Sequence, residues 1–209
     1  QGVADNTVVI FTSDNGFFCG SHFFQGKALP YEESARAPLI IHDPRQPAAR
    51  RGARCASLTG SIDLAPTMLA LAGVEVPENM DGRSLTGLME RPTAELHESL
   101  ALIQFWPWFS HHSEAFSVVS GRYKYIYWFY AGETWTPAEE LYDLERDPYE
   151  MRNVIASPEY RETAERMRAV YDRHHNHLKA HCVDGNGYPR YIEWADRNVD
   201  PRRKNFRAR

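Results

Sequence analysis

The chain has 209 residues, 43% of them hydrophobic and 25% charged, with a formal net charge of -4. That is the balance of a globular protein of one or two domains with a sizeable core, and its basic residues form no stripe of the kind that grips nucleic acid. No apolar run is long enough to span a membrane, and Cys19, Cys55 and Cys182 are too far apart to make a disulfide ladder or a zinc ribbon.

In chain order, the β-branched, uncharged run Val8-Val9-Ile10-Phe11-Thr12 predicts a strand buried on both faces and paired in parallel with neighbours outside this segment. It runs straight into Ser13-Asp14-Asn15-Gly16. Ligands of open α/β sheets gather beyond the carboxyl ends of strands. Asp14 and Asn15 offer oxygen atoms there, which suit a hard cation such as Ca²⁺ or Mg²⁺; the same residues also make an Asx turn. A glycine- and phenylalanine-rich loop follows, then a second strand over 38–41 and a surface excursion over 45–54. Ser61 or Asp63 caps a helix with Leu64, Met68 and Leu71 on one face, Pro66 in its first turn and Gly73 at its end. Residues 82–89 form a loop or short helix.

From residue 98 the pattern changes to antiparallel β: a strand over 99–105, a hairpin of 116–119 and 123–129 about Ser120-Gly121, and a short strand over 141–144. Ser157 and Pro158 start a helix whose Tyr160, Ala164, Met167, Tyr171 and Leu178 recur at helical spacing, so it covers one face of the small sheet. His174, His175, His177, His181 and Cys182 are read as surface groups at the end of that helix, where cations suit the dipole, rather than as a metal cluster. Beyond Cys182 the chain reads as irregular. Its basic end, Arg202, Arg203, Lys204, Arg207 and Arg209, reads as a solvated or frayed terminus rather than an anion site.

The order of Asp14, Asn15, Gly16, Gly20, His22, Lys27, Tyr31 to Ser34, Arg36, Pro38 and Leu39 resembles the second metal-binding segment of the sulfatases in the alkaline-phosphatase superfamily. Asp63, Pro66 and Thr67 resemble the family's Asp-x-x-Pro-Thr helix. Arg122 to Ile126, Leu141 to Leu144, Asp147-Pro148 and Asn153 resemble its C-terminal subdomain. The likeness covers roughly residues 5–155, and by it the chain is the C-terminal half of such an enzyme.

The fold implied is the C-terminal portion of an alkaline-phosphatase-like α/β sheet sandwiched by helices, over 1–95. A small antiparallel subdomain with a packed helix follows over 96–182, then a basic tail over 183–209. The activity implied is hydrolysis of sulfate esters of a sulfated carbohydrate or an aryl alcohol. By the same resemblance, Asp14 and Asn15 complete a Ca²⁺ site begun by aspartates farther upstream, with Mg²⁺ or Mn²⁺ as second choices, and Lys27 contacts the sulfate. His22 either lines the pocket or bonds backbone, since the acid and second glycine that usually flank it are here Ser21 and Phe23. Trp106, Trp108, His111 and His112 occupy a loop that either meets the substrate or is anchored by buried aromatics.

The nucleophile of these enzymes is a formylglycine made within Cys-x-Pro-x-Arg. Cys19, Cys55 and Cys182 are followed by Gly-Ser-His, Ala-Ser-Leu and Val-Asp-Gly, so none supplies it. The expected partner is therefore the upstream half of the same enzyme, and residues 1–209 alone are expected to be inactive. The resemblance also favours a periplasmic or secreted setting. A phosphodiesterase or phosphonate monoester hydrolase of the same superfamily, or a non-catalytic binder of sulfated glycans, would share most of these residues.

Overall fold

The structure, a computed structural model, describes residues 2–104, 114–129, 136–183 and 188–204. In chain order its elements are β1 (Val9–Thr12), β2 (Phe18–Cys19), β3 (Gln25–Gly26), α1 (Glu32–Ala35), β4 (Leu39–His42), α2 (Leu64–Leu71) and α3 (Thr86–Glu90). Then come β5 (Ser99–Gln104), β6 (Ala115–Ser120), β7 (Tyr123–Trp128), β8 (Ala138–Asp143), α4 (Arg161–Ala180) and α5 (Tyr188–Ala195). They fall into two compact units: Gln1–Asp14 with Ala37–Leu100, and Asn15–Arg36 with Ala101–Arg209. Among the described residues no helix is long and apolar enough to cross a membrane.

In the first unit β1 pairs antiparallel with β4, Val9 opposite His42 and Thr12 opposite Leu39. The neighbour of β1 within this segment is thus antiparallel, while the parallel neighbours expected for it belong to chain outside the segment. The chain doubles back before β4, so the two strands run in opposite senses, and Val9, Phe11 and Ile40 are 52, 59 and 61% exposed. β-branched composition reports what a strand prefers to touch, not whether a partner is at hand.

Asp63 ends a single tight turn, residues 61–63, that leads into α2. Its carboxylate is fully buried and accepts from the Gly60 amide at 2.9 Å, the Arg83 amide at 2.8 Å and His97 Nε2 at 2.8 Å. Thr67 continues the network: its hydroxyl donates to the Asp63 carbonyl and accepts from the Leu85 amide. Asp63 thus ties three separate loops together. Gly82 passes so close that a Cβ there would lie 1.9 Å from the Ile62 carbonyl oxygen.

The second unit is built on a four-stranded sheet in the order β5-β6-β7-β8, with β6 and β8 both antiparallel to β7. The anticipated hairpin is present, Ser120 pairing with Tyr123 at its turn. The two-residue period puts Phe116, Val118, Tyr125 and Tyr127 on one face, where they meet Ala164, Met167, Val170 and Tyr171 of α4. The opposite face presents Ala115, Ile126, Trp128 and Tyr142, which pack against Leu29 and Tyr31. Residues 15–36 therefore rest on the side of the sheet away from α4.

Ser157 is the N-cap residue and Pro158 the first position of the helical turn Pro158–Tyr160 that leads into α4, as expected, although the Ser157 side chain makes no capping bond. Two expectations change here. His175 is buried, not a surface group: Nε2 meets the Ile192 carbonyl at 2.7 Å and the ring stands edge-on to Phe116. The segment expected to be irregular contains α5, because Trp194 and Ala195 complete the core against α4.

Lys204 is likewise buried rather than solvated, with Nζ donating to the Trp194 carbonyl at 2.7 Å and to the Tyr127 hydroxyl at 3.3 Å. Arg207 and Arg209 lie outside the described residues. Burial pulls the Lys204 ammonium down to about 8. An ammonium whose folded value is depressed contributes stability that is present above the unfolded value and lost as pH falls through the folded one. Wild-type stability should therefore rise between pH 8 and pH 10, while Lys204→Met lacks this dependence. Urea unfolding should show the variant losing ground to wild type across that window. Parallel pH profiles would contradict the assignment.

Candidate functional site

Residues 15–36 are shaped by one short helix. The Gly16 amide donates to the Ser34 carbonyl at 2.8 Å. A Cβ on Gly16 would lie 2.1 Å from the Glu33 carbonyl oxygen, so only glycine lets the chain pass α1 this closely. Asn15 Nδ2 donates to the Gly16 carbonyl at 2.6 Å, which fixes the side chain with Oδ1 as its remaining donor atom toward a cation. Asp14 is exposed, belongs to the first unit, and accepts from Ser13 Oγ at 3.3 Å.

β2 and β3 form a minimal ribbon, Phe18 opposite Gly26 and Cys19 opposite Gln25. The turn between them carries His22 and Phe23 at φ of 53° and 61°, and Ala28 just beyond β3 has φ of 82°. Left-handed backbone at three non-glycine residues is costly and persists only where surrounding contacts impose it. Lys27 sits between β3 and Ala28 and is exposed. The Ala28 amide donates to Ser34 Oγ at 2.8 Å.

The described contacts of the His22 ring are with side chains. It stacks on Tyr31 with centroids 4.4 Å apart and planes 12° from parallel, and Nε2 is 3.7 Å from Glu33 Oε2. The Tyr31 and Tyr142 hydroxyls each donate to Glu140 Oε2 at 3.1 Å. Burial raises the Glu140 carboxyl above the usual range; burial, then the Glu140 charge, raises the Tyr31 phenol. This aromatic and acidic group under His22 was not foreseen, because Glu140 is more than a hundred residues from Tyr31 and nothing local links them.

The structure thus gathers Asn15, His22 and Lys27 on one short segment. Trp106, Trp108, His111 and His112 lie outside the described residues. Among the described residues no three His, Cys, Asp or Glu side chains form a group able to hold a metal ion by themselves. His177 and His181 have ring centroids 4.2 Å apart, and His181 Nδ1 meets the His177 carbonyl.

A family model described as the C-terminal region of N-sulphoglucosamine sulphohydrolase matches residues 20–177. The chain is 34% identical over 163 residues to an N-acetylglucosamine-6-O-sulfatase of Bacteroides thetaiotaomicron, covering 76% of this chain and 28% of that protein. A structure solved in complex with its substrate D-glucosamine-2-N,6-O-disulfate superposes with a TM-score of 0.77 at 29% identity, over 88% of this chain and 37% of that one. The phosphonate monoester hydrolase of Agrobacterium radiobacter superposes with a TM-score of 0.69 at 26% identity, over 87% of this chain and 36% of its own. The chain therefore spans about a third of the length of the proteins it matches. With the family model matching more than half of its residues and the Asp14-to-Leu39 motif in order, the chain belongs to the sulfatase family of the alkaline-phosphatase superfamily, over that family's C-terminal portion.

Proposed function

We propose that this chain is the C-terminal part of a metal-dependent sulfatase that hydrolyses a sulfated sugar, to which it contributes Asp14, Asn15, His22 and Lys27. One observation carries the reading: the backbone beside Asn15 and the backbone beside Lys27 are both bonded to Ser34. A cation-ligand candidate and an ammonium are thereby held in one fixed segment, as transfer of an anionic group requires. The Lys27 ammonium neutralises charge on the sulfuryl oxygens as the ester bond breaks, a charge-assisted contact that is worth most when its position is set in advance.

The residues fit a calcium ion as part of its ligand set. Asn15 has its amide nitrogen engaged and its oxygen left over, and Asp14 offers a carboxylate, the oxygen-only chemistry that Ca²⁺ takes. Two side chains fall short of the roughly 6–8 oxygens it needs, so the rest come from the upstream half of the enzyme. Bound there, the ion would supply positive charge to the transferring group. His22, braced by Tyr31 and facing Glu33, borders the lysine loop. In this reading residues 1–95 belong to the α/β catalytic domain and 96–182 to the C-terminal subdomain, whose core α5 completes. Trp106, Trp108, His111 and His112 meet the sugar, since aromatic faces suit its apolar side. The two relatives whose names carry sulfated glucosamine support an amino-sugar sulfate as substrate; the phosphonate monoester hydrolase supports the rival.

The test assays the complete protein, with calcium, on glucosamine 6-sulfate, an aryl sulfate, an aryl phosphonate and an aryl phosphodiester. Turnover of the sulfates above the phosphorus esters is expected, and the reverse order would transfer the assignment to the rival. Binding of the sugar sulfate without turnover would make the protein a binder. Asp14→Ala and Asn15→Ala should each weaken calcium binding at least about 10-fold by calorimetry, and unchanged calcium affinity would remove them from the site. Residues 1–209 alone should turn over none of the esters.

A further inference from the structure

Helix α1 is too short to hold a shape by itself, yet it meets both candidate side chains' backbones. Ser34, 3% exposed, takes the Gly16 amide on its carbonyl and the Ala28 amide on its hydroxyl. The second bond lies at the left-handed Ala28, directly after Lys27. Without it, the backbone at Lys27 would lose one of the contacts that impose this conformation.

The helix is in turn bolted to the sheet from below. Lys124 on β7 is 1% exposed, and the only charged residue in a strand whose other side chains there are aromatic or aliphatic. Its Nζ donates to the Pro30 carbonyl at 2.9 Å and lies 2.6 Å from Glu32 Oε1 and 2.9 Å from Glu150 Oε1. The carbonyl accepts a hydrogen bond, and the two carboxylates flank the ammonium as ion-pair partners. Glu150, also 1% exposed and itself at φ of 53°, accepts the Glu32 amide on its other oxygen at 2.5 Å. Lys124 and Glu150 therefore seize the entry to α1 by a carbonyl, an amide and a side chain at once. A buried ion pair of this kind is poor value as a source of stability, because its desolvation offsets its attraction; what it does supply is a single geometry for residues 30–32.

We propose that Ser34 and Lys124 are positioning residues for the sulfate site: Ser34 sets the backbone of Lys27 against that of Asn15, and Lys124 with Glu150 sets the helix that carries Ser34. Neither touches the substrate. The inference rests on the role proposed above for Lys27. Because a misplacement of about 1 Å can cost on the order of 100-fold in rate, the effect should appear in kcat.

The test uses the complete protein carrying Ser34→Ala, or Lys124→Met together with Glu150→Gln, which removes the buried pair together and leaves only the partly exposed Glu32 without the ammonium. Amide hydrogen exchange and steady-state kinetics are read on each, with kcat taken on whichever ester the wild type hydrolyses. For Ser34→Ala, exchange at residues 27–29 should rise at least about 10-fold while β6 and β7 stay as protected as in wild type. kcat should fall about 10-fold or more with KM within about threefold. The double variant should show the same local loosening over 27–36 and the same split. Unchanged exchange at 27–29 in Ser34→Ala would overturn the proposal, as would raised exchange with wild-type kcat. A general rise in exchange across β6 and β7 at unchanged kcat per folded molecule would make both residues merely structural. Failure of the wild type to hydrolyse any sulfate ester would sink the proposed function instead, while the exchange measurement still judges the anchoring.

Discussion

Lys27→Ala is expected to lower kcat for sulfate ester hydrolysis by about 100- to 1000-fold, the scale on which loss of one preorganised charge-stabilising group is felt. The unfolding transition should stay within about 0.5 kcal/mol of wild type, because Lys27 is exposed and surface substitutions of this kind rarely destabilise. Lys27→Arg should recover little. Arginine keeps the charge but spreads it over a planar fork on a longer reach, which does not reproduce a compact ammonium aimed at one oxygen. Stopped or steady-state assays of the complete protein, with thermal unfolding as the control, separate the two effects. Activity of Lys27→Ala near that of wild type would remove the residue from the chemistry.

The largest effect on stability is expected at Asp63. Its fully buried carboxylate serves donors from Gly60, Arg83 and His97. Asp63→Ala leaves all three without acceptors, among them His97, whose side chain is 8% exposed. Stranding buried partners in this way costs about 3–5 kcal/mol. Asp63→Asn should recover only part of this, since one of its two terminal atoms then presents hydrogens to a donor. Urea unfolding of the complete protein measures the difference. A loss below about 1 kcal/mol for Asp63→Ala would mean that water replaces the carboxylate, and that the loops do not depend on it.

Asp63 also shows how legibility divides. The Asp-x-x-Pro-Thr pattern places it at the start of a helix, and Pro66 and Thr67 do lie in α2. Yet two of its donors arrive from 20 and 34 residues farther along the chain, and no spacing within a helix announces them. The candidate site divides in the same way. Asp14, Asn15, His22 and Lys27 stand out as residue types in an ordered motif. Ser34 passes as one letter of that motif, and Lys124 as one more charge in a hairpin.

By itself the sequence determined those features that depend on neighbours along the chain. The strand-forming runs 116–119 and 123–129 about Ser120-Gly121 announced the hairpin, the 3.6-residue spacing from Tyr160 to Tyr171 announced the buried face of α4, and the motif from Asp14 to Leu39 pointed to the family. Only the tertiary structure decided that β1 runs antiparallel to β4, that His175 and Lys204 turn inward, and that Lys124 reaches the carbonyl of a residue 94 positions away. The reason is physical. Periodicity encodes which face of an element is apolar, a local property, whereas the partner of a buried charge or of a strand edge is chosen by the whole packed chain. A lone lysine in a strand reads as solvated until the carbonyl and two carboxylates that surround it are brought there by the fold.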